Sequence, residues 1–286
     1  MPFTMIVGLI GHPVAHSKSP HMQQAALAHV GLKDWRYELW DTPPEALPAR
    51  MCEVGQRDDV AGCNVTIPHK QAVMPYLGAV SQHAQAIGAV NTIFKRGPSL
   101  VGDNTDWMGF LADLHFHRVA VDQGTRALVL GAGGSARAVV YALALRGAHV
   151  LIYNRTPERA RDLLDALASA PGLSRIADNC AVVASLADLA CQRATLIVNC
   201  TSVGMWPDVD ASPWPDAVPF PNQAVLYDLV YKPRTTKLMQ QADAFGARAI
   251  GGLGMLAEQG AAAFERWTGV SAARVSAIMR EALNHA

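Results

Sequence analysis

The sequence predicts an α/β protein of two domains, one a smaller α/β domain and the other a doubly wound domain on a parallel sheet. A length of 286 residues fits two domains at a prior of about 150 residues each. Half of the residues are hydrophobic and 17% are charged, which suits two apolar cores and excludes a disordered chain. From Arg126 onward, strand patterns alternate with helix patterns of roughly 10–15 residues, and this alternation produces a parallel sheet.

The charge and cysteine content exclude several kinds of partner. The chain has 24 basic and 24 acidic residues, so its zero net charge argues against bulk electrostatic binding to nucleic acid or a membrane. No apolar stretch is long enough to span a bilayer, and the N-terminal apolar run lacks the basic start of a signal peptide. Five scattered cysteines without a C-x-x-C pair predict a reduced, cytoplasmic protein. The expected partner is a small molecule, and the chain is expected to be a monomer or a homodimer.

The first hundred residues alternate strand and helix signals. Ser19 followed by Pro20 marks a helix start with Ser19 as the N-cap, and Gly31 marks its end. Apolar residues at 35, 37 and 39 alternate with charged residues, as in a half-buried strand. The expected order is a strand at 5–10, a helix at 19–31, a strand at 35–39, a helix after Pro44, a strand at 63–67, and a hairpin of strands at 90–94 and 99–101.

From residue 105 the pattern is that of the doubly wound domain. The expected elements are a helix at 105–119, a strand at 126–130, a helix to about 146, a strand at 150–153, a helix at 158–168, strands at 196–200 and 224–229, and helices at about 235–245, 255–267 and 271–283. Because the first domain is short, the last helices are expected to return to it. The predicted domains are therefore 1–104 plus 240–286, and 105–239.

A glycine-rich turn follows the strand at 126–130. Its sequence, Gly131-Ala132-Gly133-Gly134-Ser135-Ala136, fits G-x-G-x-x-A and opens a helix. Gly131 permits the tight turn, Gly133 lets the backbone approach a pyrophosphate, and Ala136 permits close packing of the helix on the strand. The helix N-terminus also offers N–H groups to phosphates. This context predicts a dinucleotide site, and the alternative is a plain glycine turn.

The end of the next strand distinguishes between the two nicotinamide dinucleotides. An NAD site usually has an acidic residue there, which accepts a hydrogen bond from the ribose 2′-OH. Here the run is Asn154-Arg155-Thr156-Pro157-Glu158-Arg159, with no carboxylate at the strand tip and two arginines that suit a 2′-phosphate. NADP is therefore favoured over NAD. The alternative is a Thr156 N-cap with solvent-exposed arginines.

Three polar clusters lie at predicted strands, in the positions where open α/β sheets bind ligands. They are residues 11–20 (GHPVAHSKSP), residues 64–70 (NVTIPHK), and Asn91-Thr92 together with Asn104-Thr105-Asp106. Their hydroxyls, amides, one cation and one carboxylate suit a small, polyhydroxylated, anionic substrate. Each also has a purely structural interpretation, with Asp106 as a helix-start residue favoured by the dipole and Lys70 as an exposed cation. The histidines at 12, 16 and 21 fit no metal-ligand spacing, so no metal is expected.

Taken together, these motifs resemble the shikimate dehydrogenase family. The family's motifs occur in order over nearly the whole chain as HSKSP, NVTIPHK, IGAVNT, GDNTD, GAGGSARA, NRTPERA, NCTSVGM, DLVYKP and GGLGMLAEQGAAAF. The resemblance implies a substrate domain that contains both chain ends, with a Rossmann-type NADP domain between them. It also implies reversible, NADPH-dependent reduction of 3-dehydroshikimate to shikimate in aromatic amino-acid biosynthesis.

The resemblance further implies roles for single residues. Lys70 is expected to be the acid/base at the reacting oxygen, with Asp106 orienting it. The substrate carboxylate is expected on Ser17 and Ser19 with Tyr231 nearby, and the ring hydroxyls on Asn64, Thr66, Asn91 and Gln259. The expected cofactor residues are the turn at 131–136 for the phosphates, Asn154, Arg155, Thr156 and Arg159 around the 2′-phosphate, and Thr201, Val203, Met205, Leu229, Gly252 and Met255 toward the nicotinamide.

Several alternatives stay open from the residues themselves. A hydride leaves a secondary alcohol only as the hydroxyl proton is removed, so Lys70 either takes that proton or stays charged and polarises the oxygen. Gln259 is either a partnered core amide or points toward substrate. A relative that accepts quinate or uses NAD competes with the main hypothesis, as does a metabolite sensor without turnover, which has no need of the Lys70–Asp106 pair. Residues 206–220 are interpreted as a surface excursion that affects cofactor access.

Overall fold

The computed structural model describes residues 4–170 and 178–285, and the chain divides into two compact units. The first unit comprises Met1–Asp113 and Gly254–Ala286, and the second comprises Leu114–Leu253. Both boundaries fall later than residues 104 and 239. The helix that begins at Asp106 starts in the first unit, and a strand at Arg248–Gly251, which the sequence did not predict, joins the sheet of the second.

The predicted helices and strands occur in the expected order with small shifts at their ends, and the short elements at Ala79–Val80, Gln82–Ile87, Cys180–Val182, Leu189–Gln192 and Arg248–Gly251 were not predicted. The helices and strands are β1 (Met5–Gly11), α1 (Ser19–His29), β2 (Trp35–Asp41), α2 (Leu47–Gln56), β3 (Val60–Val65), β4 (Ala79–Val80), α3 (Gln82–Ile87), β5 (Thr92–Arg96), β6 (Ser99–Asp103), α4 (Asp106–Phe116), β7 (Arg126–Leu130), α5 (Gly134–Leu145), β8 (His149–Tyr153), α6 (Pro157–Ser169), β9 (Cys180–Val182), α7 (Leu189–Gln192), β10 (Leu196–Asn199), β11 (Val225–Asp228), α8 (Lys237–Ala244), β12 (Arg248–Gly251), α9 (Leu253–Thr268) and α10 (Ser276–Asn284).

The first unit is built on a six-stranded mixed sheet in the order β2-β1-β3-β5-β6-β4. β1 pairs in parallel with β2 and β3, whereas β5 runs antiparallel to β3. The start of β5 therefore lies beside the end of β3, and Thr92 pairs with Asn64. This pairing of β3 with β5 brings together the polar clusters at 64–70 and 91–92. In β1, Gly8 leaves room for the Trp40 side chain, because a Cβ at this glycine would lie 2.2 Å from the indole.

The second unit is a doubly wound domain, as predicted. Its sheet has the order β12-β11-β10-β7-β8-β9, and all of its strand pairs are parallel. The strand order reverses at β7, since β8 lies on one side of it and β10 on the other. Ligands of such sheets bind outside the carboxyl end of the strand at this reversal. Gly131 follows that end directly.

Two local predictions were wrong. Lys18, not Ser19, is the N-cap residue of α1, and no side chain caps this helix. Ser17 forms the side-chain hydrogen bond at the start of this helix, in which its Oγ accepts from the backbone N–H of Ser19 at 3.2 Å. The last helix begins at Ser276, after a 3-10 turn at Ala272–Arg274, instead of at 271.

The stretch at 206–220 is only partly a surface excursion. Trp214 and Phe220 are buried in the core of the second unit, with ring centroids 4.8 Å apart, and Trp214 Nε1 donates to Val218 O. Trp206 remains 47% exposed, with the Lys232 ammonium over its ring. Among the helices that the structure describes, none combines the length and apolar character needed to cross a bilayer.

Candidate active site

Lys70 and Asp106 form a largely buried ion pair in the first unit. Lys70 Nζ lies 2.7 Å from Asp106 Oδ2, and the two side chains are only 12% and 6% exposed. Asp106 is the first residue of α4, and its backbone N–H donates to Asn104 Oδ1 at 3.0 Å, which fixes the start of the helix. Lys70 is therefore not an exposed surface cation, which was the alternative to a functional role. The pair holds a cation and a carboxylate together where water has little access.

Asn91 anchors the other carboxylate oxygen. Its Nδ2 donates to Asp106 Oδ1 at 2.8 Å and lies 3.0 Å from Thr105 Oγ1. Its Oδ1 accepts from the backbone N–H of Thr105 at 2.7 Å, so the orientation of the amide is determined. Both oxygens of Asp106 thus have a donor, one an amide and one the Lys70 ammonium. This arrangement orients the ammonium with little freedom for the carboxylate to rotate.

Gln259 joins the same network from α9. Its Oε1 lies 3.2 Å from Asn91 Nδ2, and its Nε2 donates to Leu256 O at 2.8 Å. α4 and α9 touch at this level, because a Cβ at Gly109 would lie 2.6 Å from the backbone nitrogen of Gln259. Gln259 is therefore a partnered, buried amide that also contacts the Asn91 network.

Asn64 is held by Tyr37 and by Asn91. The Tyr37 hydroxyl donates to Asn64 Oδ1 at 2.8 Å, and Asn64 Nδ2 donates to Asn91 O at 3.2 Å. Ser19 is buried at the start of α1, while Ser17 is half-buried. Burial raises the pKa of the Tyr37 phenol, and Ser19 opposes this rise.

Thr66 and Tyr231 are not part of that network in the structure. Thr66 directly follows β3, and its N–H donates to Ile10 O at 2.8 Å, with its methyl group beside Gly11. Tyr231 belongs to the second unit, whereas Ser17 and Ser19 belong to the first. Its burial raises the pKa of its phenol.

The glycine-rich turn of the second unit fits a dinucleotide. Gly131 has a φ of +107°, and a Cβ there would lie 3.1 Å from the Thr201 side chain. Gly133 is the N-cap residue of α5, no side chain caps this helix, and a Cβ at Gly133 would meet nothing within 4 Å. Ala136 is fully buried and brings α5 close to the sheet. An uncapped helix start beside open space suits the approach of a pyrophosphate.

The end of β8 offers two arginines for a second phosphate. Arg155 and Arg159 are exposed, and no ion pair involves either one in the part of the chain described. Glu158, which lies between them, pairs with Arg161 at 3.1 Å instead. Asn154 Nδ2 donates to Thr156 O at 2.7 Å and shapes this turn, in which Thr156 is exposed. Two guanidinium groups without a competing carboxylate fit a 2′-phosphate better than a 2′-hydroxyl.

A buried polar network supports the residues expected at the nicotinamide. Asp228 accepts from Asn199 Nδ2 at 2.9 Å, from Thr236 Oγ1 at 2.6 Å and from the Val230 N–H at 3.0 Å. Burial raises the pKa of Asp228, and these hydrogen bonds oppose that rise. Asn199 Oδ1 in turn accepts from the hydroxyl of Thr201 at 2.7 Å. Asp228 therefore holds Thr201 through Asn199.

The remaining expected cofactor residues divide between the two units. Val203 and Met205 are exposed after β10. Gly252 lies against Leu229, because a Cβ at this glycine would be 2.5 Å from Leu229 O. Met255 is buried in α9 and belongs to the first unit, whereas the other expected cofactor residues belong to the second.

Three family models match successive parts of the chain. The model for the shikimate dehydrogenase substrate binding domain matches residues 9–93, that for shikimate / quinate 5-dehydrogenase residues 113–201, and that for the shikimate 5′-dehydrogenase C-terminal domain residues 252–283. A shikimate dehydrogenase (NADP(+)) of Moorella thermoacetica is 46% identical over 288 residues, which covers 98% of this chain and 94% of that protein. The chain belongs to the shikimate dehydrogenase family. The resemblance inferred from the motifs is confirmed.

Solved structures of the shikimate dehydrogenase family share the fold. Shikimate 5-dehydrogenase from Thermus thermophilus, in complex with NADP(H) and shikimate, is 41% identical, with a TM-score of 0.84 over 98% of this chain and 100% of that one. Quinate dehydrogenase from Corynebacterium glutamicum, in complex with NAD, is 28% identical, with a TM-score of 0.84 over 99% of each chain. The fold is thus shared by relatives of different substrate and cofactor.

Three residues of the site were missed as functional candidates. Tyr37 was predicted only as an apolar position in an alternating strand, and nothing in that pattern indicates where its hydroxyl lies. Asn199 and Asp228 each end an apolar strand, and they belong to the NCTSVGM and DLVYKP motifs of the shikimate dehydrogenase family. A polar residue at the end of a buried strand was the available signal for these two.

Proposed function

We propose that this chain catalyses the reversible, NADP-dependent oxidation of shikimate to 3-dehydroshikimate, and that it works in the cytoplasm for aromatic amino-acid biosynthesis. The observation that carries the proposal is the buried Lys70–Asp106 pair, held by Asn91 at the second carboxylate oxygen. A positioned cation and carboxylate in a site with little water suit proton transfer at an alcohol. Membership in the shikimate dehydrogenase family and the uncapped glycine turn at α5 support the same reaction.

The first unit is proposed to hold the substrate. Ser17 and Ser19 lie at the start of α1 and bind the carboxylate. The ring hydroxyls bind four side chains, of which the first three lie around the end of β3 and the start of β5 and the last is on α9, namely Asn64, Thr66, Asn91 and Gln259. Such groups can both donate and accept, as a polyhydroxylated ring requires.

Lys70 acts at the reacting oxygen. The chemistry supplied by the bound nicotinamide is acceptance of a hydride from the carbinol carbon during shikimate oxidation. As the carbon–oxygen double bond forms, the hydroxyl proton must leave, and Lys70 either accepts it or stabilises the oxygen as a fixed ammonium. Asp106 keeps the Lys70 side chain in place through the 2.7 Å contact. Asn91 prevents rotation of the Asp106 carboxylate by donating to Oδ1.

The second unit is proposed to hold NADP. The backbone of the turn at 131–136, including Ala132, Gly134 and Ser135, faces the phosphates, and Arg155 and Arg159 hold the 2′-phosphate with Asn154 and Thr156. The residues of this unit proposed toward the nicotinamide are Thr201, Val203, Met205, Leu229 and Gly252. The two guanidiniums are exposed and form no ion pair within the described part of the chain, which favours NADP over NAD.

The first experiment compares initial rates with shikimate or quinate and with NADP⁺ or NAD⁺, followed by the absorbance of the reduced nicotinamide. We expect turnover chiefly with shikimate and NADP⁺. Comparable rates with quinate or NAD⁺ would favour a broader enzyme, as quinate dehydrogenase of C. glutamicum shares this fold. No turnover in any combination, while NADPH still binds, would contradict an enzyme and favour a sensor.

A further inference from the structure

Tyr37 contacts the proposed substrate-binding side chain of Asn64 although it lies outside the family's motifs. It is in β2, where it pairs with Val7 of β1, and Asn64 is in β3 on the other side of β1. The Tyr37 side chain reaches across β1, so that its hydroxyl donates to Asn64 Oδ1 at 2.8 Å.

The directions of these hydrogen bonds follow from the chemistry of the groups. Asn64 Nδ2 donates to the carbonyl oxygen of Asn91, so Asn64 Oδ1 must face Tyr37. A flipped amide would place its oxygen against that carbonyl. An amide oxygen only accepts, so the single Tyr37 proton goes to Asn64. The Asn64 amide is therefore held at both of its polar atoms, by Tyr37 and by the Asn91 carbonyl.

The position of the Tyr37 ring is determined by packing. It lies in a buried cluster with Val7, Leu9 and Val14, and its centroid is 6.3 Å from that of Trp267. Trp267 is itself held, because its Nε1 donates to Ile93 O at 2.9 Å. A ring fixed in this way keeps its hydroxyl at one place. Burial also raises the pKa of the phenol, so the hydroxyl remains a donor across the working pH range.

We propose that Tyr37 is a positioning residue that fixes the Asn64 amide for a substrate hydroxyl. The proposal rests on the proposed function, in which Asn64 binds the substrate ring. The Tyr37 hydroxyl holds Asn64 Oδ1 and the Asn91 carbonyl holds Asn64 Nδ2, so the amide keeps one orientation toward the substrate.

The test is Tyr37→Phe, which removes the hydroxyl and keeps the ring. We expect the KM for shikimate to rise about tenfold, because the Asn64 oxygen loses its donor in a buried site. The kcat should change by less than about threefold and the KM for NADP⁺ should stay constant, since uniform substrate binding is what is lost. Tyr76→Phe, which removes an exposed hydroxyl in the same unit, is the matched control and should change neither constant.

A mutant cycle separates positioning from a general structural effect. In an Asn64→Ala background, Tyr37→Phe should have no further effect on the KM for shikimate, because the amide that it positions is gone. An unchanged KM in the single variant would overturn the proposal, and so would an equal rise in the Asn64→Ala background. A wild-type protein that does not turn over shikimate would instead contradict the proposed function itself, before any variant is compared.

A second measurement covers the case in which the Tyr37→Phe variant does not fold, which its melting temperature would show. Asn64→Ala is then compared with the wild-type protein for shikimate binding in the chain with Tyr37 intact. We expect the Kd to rise by about tenfold, since the amide that Tyr37 holds is the group that binds the substrate hydroxyl. An unchanged Kd would overturn the proposal.

Discussion

Replacement of Lys70 is the most direct test of the proposed chemistry. The Nζ–Oδ2 distance of 2.7 Å corresponds to about 6 kcal/mol of attraction at an effective dielectric constant of about 20, before the cost of desolvation is subtracted. Removal of Lys70 leaves the Asp106 carboxylate buried with the Asn91 amide as its side-chain donor. Breaking a buried pair by removing one partner costs about 3–5 kcal/mol. Because the Lys70 side chain retains some exposure, we expect about 3 kcal/mol of lost unfolding free energy.

The expected decrease in kcat is larger than the loss of unfolding free energy can account for. Lys70→Met keeps the apolar stem, removes the ammonium and should lower kcat by about 10²–10⁴-fold, the range for a positioned acid or base. The KM for shikimate should change little, because other side chains bind the ring. Lys70→Arg distinguishes the two roles, since a guanidinium keeps the charge but does not release a proton. If Lys70→Arg retains part of the wild-type kcat, Lys70 acts by polarising the oxygen. If its kcat is no higher than that of Lys70→Met, Lys70 acts by transferring the proton.

The assay is the initial rate of NADP⁺ reduction with saturating shikimate, together with the melting temperature of each variant. Lys33→Ala, at an exposed lysine of the same unit, is the control and should leave both unchanged. A kcat for Lys70→Met within about threefold of the wild-type value, in a folded protein, would refute the reasoning.

The remaining predictions concern the second unit and the thiols. Arg155→Ala should raise the KM for NADP⁺ by about 10- to 150-fold and leave that for NAD⁺ nearly unchanged, since a charged hydrogen bond contributes about 1.5–3 kcal/mol; an equal loss with both would argue against 2′-phosphate binding. Thr236→Ala should lower the free energy of unfolding in urea by about 2–3 kcal/mol, because it removes a helix cap and the donor to a buried carboxylate. Thr156→Ala, whose hydroxyl caps nothing, should cost less than about 0.5 kcal/mol. Iodoacetamide at mildly alkaline pH should label exposed Cys52 in the native protein and spare Cys63, because burial raises the pKa of the Cys63 thiol to about 12; early labelling of Cys63, mapped by mass spectrometry, would contradict this.

Local periodicity and turn chemistry predicted most of the second unit. β7, α5 and β8 lie within a residue or two of their expected positions, since a glycine turn between an apolar strand and a helix leaves few alternatives. β12 was missed because its run, Arg248-Ala249-Ile250-Gly251, lacks the succession of large apolar residues seen in β10 and β11, although it pairs with β11 in the sheet. The later boundary between the units follows from that pairing.

The first unit shows where local signals fail. Ser19 before Pro20 has the usual features of an N-cap, yet the cap residue is Lys18 and Ser19 is the first residue of the helix. The helix therefore begins one residue earlier than the capping signal indicates. Tyr37 was predicted correctly as a buried strand residue, but its contact with Asn64 depends on the strand order β2-β1-β3. Strand order is a property of the whole sheet.

The sequence by itself determined the family, the doubly wound unit and the glycine turn that precedes α5, because these depend on motifs within a few residues of one another. Only the tertiary structure decided which of the predicted site residues meet. Lys70 and Asp106 are 36 positions apart, and Asn91 and Gln259 are 168 apart, yet each pair is within hydrogen-bond distance. Such contacts arise from the packing of β3, β5, α4 and α9 around a common core. Their geometry follows from close packing of the whole unit and not from any local pattern.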